Sequence, residues 1–255
     1  MLEKEVLIKE AENAIKWIKD YVQNIGANGV VIGNSGGKDS ATVIAMAVKA
    51  LGKDSVLTIA MPCNSNIIDL EDAKLVSKTF NVPIISVDLS NTYKELEKSI
   101  DSSIKSINSE LIYEAKVNIK PRLRMTTLYG IAQSLGYLVL GTGNLCESIV
   151  GYTTKWGDSA SDLNPIANFT VDEVLAIGEY LGVPEKIIKK APNDGISSKT
   201  DEEKMGVTYK QIAEYIETGK TDLDAMPIIE RLNKVTKHKR ITIPTYKFDR
   251  LKYLD

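Results

Sequence analysis

Gly29-Val30-Val31-Ile32-Gly33-Asn34-Ser35-Gly36-Gly37-Lys38-Asp39-Ser40 sets the architecture of the chain. Its first five residues read as a buried strand. A tight glycine loop follows, and the apolar run from Ala41 to Leu51 predicts a helix that stops at Gly52. A glycine loop running from a strand into a helix N-terminus aims backbone N–H groups at one spot, and that spot favours phosphate. Ser35 and Ser40 add hydroxyls, Lys38 adds charge, and Asp39 is placed to hold a metal ion beside the phosphates.

Two common nucleotide loops are excluded. A P-loop needs Gly, four residues and then Gly-Lys-Ser/Thr, whereas Lys38 is followed by Asp39. The dinucleotide fingerprint Gly-x-Gly-x-x-Gly is broken at Gly33-Asn34-Ser35. The pattern Ser-Gly-Gly-x-Asp-Ser instead resembles the pyrophosphate-binding loop of the ATP pyrophosphatases. The plain alternative, a glycine turn that merely joins strand to helix, requires six specified residues to coincide in the right context.

On either side of this loop, strands and helices alternate. Residues 3–23 carry Val6, Ile15, Ile18 and Val22 with Ala11 and Ala14, a helical spacing. After the first strand and helix come a strand at Val56–Met61, a helix at Asp69–Phe80, a strand at Pro83–Leu89, helices at 91–107 and 109–135, and a strand at Tyr137–Leu140. This order predicts an α/β fold, a doubly wound parallel sheet. Residues 144–168, rich in Gly, Ser, Thr, Asn and Asp, read as a long functional loop. Extra C-terminal helices are expected at 170–181, 184–190, 208–218 and 224–236, with a polar loop at 192–205 as candidate lid and a basic segment at 237–240. The expected organisation is a single domain over 1–255: an N-terminal helix, a nucleotide-binding core at 29–145, and substrate loops with C-terminal helices at 146–255.

Composition narrows the function. The 255 residues are 43% hydrophobic and 26% charged, values of an ordinary globular protein, and the net charge of −2 gives no general pull toward nucleic acid. The charged N-terminus does not read as a signal peptide, and no apolar run is long enough to span a membrane. Cys63 and Cys146 form no Cys-x-x-Cys pair, so they read as reduced structural residues of a cytoplasmic protein.

In a doubly wound sheet, ligands bind beyond the carboxyl ends of the strands. The loop 33–40, Pro62–Asn66, the residues after Leu89 and Gly141–Glu147 therefore converge on one cleft. Asp39 and Glu147 are the carboxylates best placed to share a magnesium ion. Alone, Glu147 would read as a solvated loop residue, the pair Arg122 and Arg124 as a solvated helix face, and Lys155 as a surface charge.

Three segments change that reading: Asn118-Ile-Lys-Pro-Arg122-Leu-Arg124-Met125, Gly141-Thr142-Gly143-Asn144-Leu-Cys-Glu147, and Gly151-Tyr-Thr-Thr154-Lys155-Trp-Gly157-Asp158. With the opening loop, Asp201-Glu202, Gly206-Val-Thr-Tyr209 and His238-Lys239-Arg240, they make the chain resemble the NAD synthetase family from about residue 5 to about 250. The resemblance implies a Rossmann-like, adenine nucleotide alpha hydrolase-like fold. It implies a ligase that uses ATP and magnesium to activate the carboxylate of deamido-NAD as an acyl-adenylate, releases pyrophosphate, and lets ammonia displace AMP. It assigns Gly33, Asn34, Ser35, Gly36, Gly37, Lys38, Asp39, Ser40, Thr142 and, weakly, Asn193 to ATP. Arg122, Lys155, Asp162, His238 and Lys239 fall to deamido-NAD, with Asp158 nearby and the His238-Lys239 pair acting within the chain or across a dimer interface. Asp39, Glu147 and Lys155 are the expected catalytic residues, Asp39 and Glu147 the magnesium ligands, and a homodimer the expected assembly.

The chain departs from the family pattern in three places. Asn168-Phe169-Thr170-Val171-Asp172 lacks a lysine that contacts ATP in many members, and Asn193 stands where a hydroxyl is usual. The segment after Pro62 also lacks a glutamine found near the adenine in some members. About thirty residues precede the loop, and neither cysteine has a plausible base, so free ammonia rather than glutamine is the expected nitrogen source. Another ATP pyrophosphatase, such as one acting on tRNA or making GMP, and a non-catalytic nucleotide sensor are the alternatives. The absence of an RNA-binding module and the retained Asp39, Glu147, Arg122 and Lys155 weigh against them.

Overall fold

The computed structural model describes residues 2–64, 67–190 and 200–249. Four parallel strands form one sheet in the order β3-β2-β1-β4: β1 (Gly29–Gly33), β2 (Val56–Ala60), β3 (Ile84–Ser86) and β4 (Tyr137–Leu140). Val30 pairs with Val56 on one side of β1 and with Leu138 on the other, so β1 is central and its burial is nearly complete. Near-continuous apolar strands covered on both faces are what a parallel sheet requires. The strand order reverses between β1 and β4, and this is the switch point at which such sheets open a crevice.

One face of the sheet carries α1 (Lys4–Ile25), α2 (Lys38–Leu51) and α7 (Val171–Tyr180), which pack with the strands into the main core around Ile18, Ile32, Ile44, Met46 and Ile177. The buried stripe of α1 is Leu7, Ala11, Ile15, Ile18 and Val22, and Val6 faces outward at 43% exposure. On the other face, α5 (Tyr113–Leu135) covers Val31, Ile59 and Val139 with Met125, Leu128 and Ala132. α3 (Ile67–Thr79) and α4 (Ser90–Lys105) complete the core crossovers.

Two expected loops contain helices. Within 144–168 lies α6 (Leu145–Val150), opened by a capping box between Asn144 and Glu147 and closed by Gly151 in the left-handed conformation. Within 192–205 lies α9 (Asp201–Met205), opened by a second capping box between Thr200 and Glu203. Both sequences carry the cap signal at the right spacing but are too short for apolar periodicity to register. The remainder of the candidate lid, with Asn193, lies outside the described residues. α8 (Glu185–Ile188), α10 (Tyr209–Thr218) and α11 (Ala225–Val235) follow. α6, α9, α10 and α11 bury a second cluster that includes Cys146, Met205, Tyr209, Ile212 and Ile229. No described helix is long and apolar enough to cross a membrane.

Candidate active site

At the carboxyl ends of β1, β2 and β4 lies a cleft of about 370 Å³. Its polar wall is the loop between β1 and α2. Gly36 takes φ 71°, a conformation that favours glycine, and Asn34 staples the turn: its Oδ1 accepts from Gly36 N at 3.1 Å. The Asn34 amide donates to Ala73 O at 2.9 Å and Ser77 Oγ at 3.1 Å, which anchors the loop on α3. Asn34 therefore shapes the expected ATP loop, its amide spent inside the protein. Ser35 Oγ lies 3.0 Å from Ser40 Oγ, and Ser40 Oγ donates to Gly37 O. No side chain caps α2, so the first N–H groups of this helix remain available to an anion at the cleft.

Lys38 is 7% exposed and donates to Asp39 Oδ2 at 3.0 Å. Burial alone would lower its basicity, but Asp39, with Glu147 and Asp201 behind it, outweighs burial and holds the ammonium above its ordinary value. The ring of Tyr209 lies 5.8 Å from the Lys38 ammonium.

Asn144 ties the opposite wall to this one. Its Nδ2 donates to Asp39 Oδ1 at 3.3 Å while its Oδ1 accepts from Glu147 N at 3.1 Å. Glu147 Oε2 in turn accepts from Asn144 N at 2.9 Å. Desolvation, then repulsion from Asp39, pushes the Glu147 carboxyl up to about 8. Two converging carboxylates, one of them kept from ionising by its surroundings, form a hard oxygen donor set that a divalent cation relieves. The residues present thus fit a magnesium ion held by Asp39 and Glu147. Tyr152, Asp158 and Asp201 line the same side, with Tyr152 Oη donating to Asp201 Oδ1 at 3.0 Å. The far end of the cleft is apolar, lined by Ile59, Met61, Met125 and Leu128, and Arg124 Nε donates there to Met61 O at 3.2 Å.

Gly33, Asn34, Ser35, Gly37, Lys38, Asp39, Ser40, Thr142 and Glu147, all expected from the sequence, line this one cleft. Gly36 is buried behind it. A second group gathers at its rim. Arg122 Nε donates to Lys155 O at 3.2 Å, and Lys155 Nζ donates to His238 O at 2.9 Å. Lys239 donates to Gly151 O and Thr153 O, both at 2.7 Å. The basic segment thus folds onto its own chain, and Lys239 spends its ammonium on carbonyls of the loop after α6. Asp162 stands apart, accepting from Val139 N at 2.7 Å and Tyr129 Oη at 3.2 Å. Tyr129 lies seven residues beyond Arg122, on the same face of α5. Asn144, Tyr152 and Asp201 also line or support the cleft, from within the motifs but with no role expected of them, and Lys190, in none of those motifs, lines it too. Only the Asn144-x-x-Glu147 cap signal could have singled out the first.

Burial raises both thiols, that of Cys146 to about 11, which leaves neither primed as a nucleophile.

Fold and cleft define a nucleotide-binding α/β protein whose glycine loop and helix N-terminus face a carboxylate pair across one cleft. The chain belongs to the NAD synthase family, whose model matches residues 10–250. It is 42% identical over 233 residues to the NH(3)-dependent NAD(+) synthetase of Carboxydothermus hydrogenoformans, covering 91% of this chain and 94% of that one. Among solved structures it resembles an NMN synthetase from Francisella tularensis, with TM-score 0.86, 31% identity, and 97% and 100% of the two chains covered. It also resembles an NH3-dependent NAD synthetase from Campylobacter jejuni in complex with the nitrate ion, with TM-score 0.74, 26% identity, and the same coverage.

Proposed function

We infer that the cleft carries out the ATP-dependent amidation of deamido-NAD to NAD, with ammonia as nitrogen donor. The observation that carries this reading is the junction of the glycine loop with the Asp39–Asn144–Glu147 cluster in a chain that shares the family along nearly its whole length. A carboxylate is a poor electrophile, so its oxygen must first take AMP from ATP, with pyrophosphate leaving; ammonia then attacks the carbonyl carbon and AMP departs with the bonding pair. The loop N–H groups and the hydroxyls of Ser35 and Ser40 hold the leaving pyrophosphate. Lys38 sets the position of Asp39. The apolar end at Met61, Met125 and Leu128 receives the adenine. Arg122 and Lys155 meet deamido-NAD at the rim, with Tyr129–Asp162 further along the same groove. Asp39 and Glu147 would hold a magnesium ion, which would supply charge neutralisation on the phosphates. No covalent enzyme intermediate is required, and positioning and preorganised charge account for the rate.

The direct test supplies ATP, magnesium, ammonium and deamido-NAD and follows NAD and pyrophosphate. An enzyme with another acceptor would give no NAD, and a sensor would give neither product. Turnover with glutamine equal to that with ammonium would refute the nitrogen source. A second reading is favoured by one observation, the TM-score of 0.86 to an NMN synthetase: the same carboxylate chemistry on the mononucleotide. Comparing kcat/KM for deamido-NAD and nicotinate mononucleotide decides between them.

The chain acts as one domain, a reading supported by Leu175 packing against both the main core and the C-terminal cluster. It pairs as a homodimer through the junction of α4 and α5, where Leu96, Ile107, Ile112 and Tyr113 are exposed, the last three by 61–73%. Sedimentation of the wild type against Ile112→Asp tests the pairing. The buried free thiols suit a reducing cytoplasm.

A further inference from the structure

Beside the glycine loop, α3 and the end of α8 share an ionic cluster that the chemistry above does not use. The Asp72 side chain is 1% exposed, and both its oxygens are taken. Lys186 Nζ lies 2.5 Å from Oδ1 and Lys190 Nζ 2.8 Å from Oδ2, while Lys190 also reaches Asp69 Oδ1 at 2.9 Å. The cluster touches the loop: a methyl group built on Gly36 would fall 2.8 Å from Asp72 Cβ and 2.6 Å from Asp69 O. One aspartate side chain therefore separates the Lys190 ammonium from the backbone of the phosphate loop.

The two lysines are not equivalent. Lys190 and Asp69 line the cleft, and Lys186 does not. Among the described residues, the lining carries five acidic side chains, Asp39, Asp69, Glu147, Asp158 and Asp201, against three cations, Lys38, Arg124 and Lys190. Lys38 is committed to Asp39, and Arg124 sits at the apolar end on Met61 O. A triphosphate entering this acidic cleft needs a cation at its terminal end. Lys190 can be released without leaving a buried charge alone, because Asp72 keeps Lys186, and Asp69, with its side chain 30% exposed, returns to water. Burial disfavours the Lys190 ammonium, but its bonds to Asp72 and Asp69 outweigh burial, so it stays charged.

We propose that Lys190 exchanges Asp69 and Asp72 for the β and γ phosphates of ATP, and then holds the pyrophosphate that leaves. The proposal rests on the ATP-cleaving reading of the cleft. Asp69 is the competitor that holds the lysine in reserve, and Lys186 is the counter-ion that lets Asp72 release it.

Three variants with opposite signs test the exchange. Binding of magnesium α,β-methylene-ATP, pyrophosphate and AMP is measured by calorimetry. Lys190→Ala is expected to weaken the ATP analogue and pyrophosphate by roughly tenfold to a hundredfold and to leave AMP within about twofold. Lys186→Ala tightens the hold of Asp72 on Lys190 and weakens the analogue, whereas Asp69→Asn frees Lys190 and tightens it. A purely structural role for the cluster would not give opposite signs. The proposal is overturned if the analogue binds Lys190→Ala as it binds wild type, or if AMP loses as much as the analogue. Should Lys190→Ala fail to fold, the opposed effects of Lys186→Ala and Asp69→Asn decide the matter, and equal effects refute it. If wild type binds no ATP analogue and releases no pyrophosphate from ATP with ammonium and deamido-NAD, the ATP reading and the exchange fall together.

Discussion

Asn144 donates from Nδ2 to Asp39 Oδ1 across 3.3 Å, and its other amide atom caps the helix that carries Glu147. One side chain thereby fixes the separation of two carboxylates that lie 108 positions apart in sequence. Asn144→Ala removes both bonds. The expected result is a loss of about 1 kcal/mol from the cap and a weakening of divalent-cation affinity by roughly tenfold to a hundredfold, the usual effect of losing an outer-shell partner. Manganese titration followed by paramagnetic resonance reads the affinity, and an unchanged midpoint would refute the bridging role.

The proposed chemistry rests most heavily on Asp39. Asp39→Asn keeps the shape and the Asn144 neighbourhood but removes the charge that Lys38 and the cation answer. Turnover should fall by roughly a hundredfold or more while the circular dichroism spectrum and melting profile survive. Near-normal turnover would refute the metal assignment.

The Glu147 carboxyl gives a pH signature with a definite sign. Desolvation and Asp39 push its pKa up to about 8, so the folded, metal-free protein binds a proton there that the unfolded chain has given up. Between the ordinary glutamate range and about 8, stability contributed at this site falls as pH rises. On the proposed assignment magnesium would compete with that proton, and its binding would strengthen over the same interval. The difference in melting temperature with and without saturating magnesium should widen from pH 6 to pH 8. A difference that stays flat or narrows would place the proton elsewhere.

What was legible in the sequence follows from the range of each signal. The glycine loop is local, its chemistry packed into Gly33–Ser40, and every expected strand is present, β3 shortened to Ile84–Ser86 because it lies at the sheet edge. α6 and α9 escaped because five or six residues give no periodicity. Among the site residues, those on the loop and at the ends of β4 and α6 converge because strand ends in a parallel sheet must. Asp69 and Asp72 on α3 meet Lys190, just past α8, through tertiary ion pairs, and no pattern along the chain announces them. Lys239 was legible as a functional cation but not as a donor to Gly151 O and Thr153 O, because the path of the C-terminal segment is set by α11 packing on α6.

That path gives Arg240 a role of its own. Its Nη1 donates to Ser148 O at 2.8 Å and Thr236 Oγ1 at 2.9 Å, and its Nη2 to Asn233 O at 2.6 Å, so it closes the carboxyl end of the helix whose other end holds Glu147. Cations suit that end of a helix. Arg240→Ala should cost about 1–3 kcal/mol, a drop of several degrees in melting temperature for a chain of this size. Arg240→Lys should restore part of it. A loss of turnover without any change in melting temperature would instead make Arg240 a substrate contact.

Gly36 is where the loop is least tolerant. It takes φ 71°, and an added Cβ would lie 2.6 Å from Asp69 O, 2.8 Å from Asp72 Cβ and 2.9 Å from Ala73 N. Two of these obstacles are backbone atoms of α3, which cannot step aside without moving the helix. Gly206 offers the internal control, because it has φ 73° with nothing within 4 Å of an added Cβ. Gly206→Ala should cost only the left-handed penalty of about 1–2 kcal/mol. Gly36→Ala should cost more than that, and it should also displace the loop from α3 and abolish tight ATP binding. Urea unfolding of both variants measures the difference, which isolates the packing of loop on helix from backbone strain. Equal losses in the two variants, with ATP affinity intact, would show that the loop does not depend on its close approach to α3.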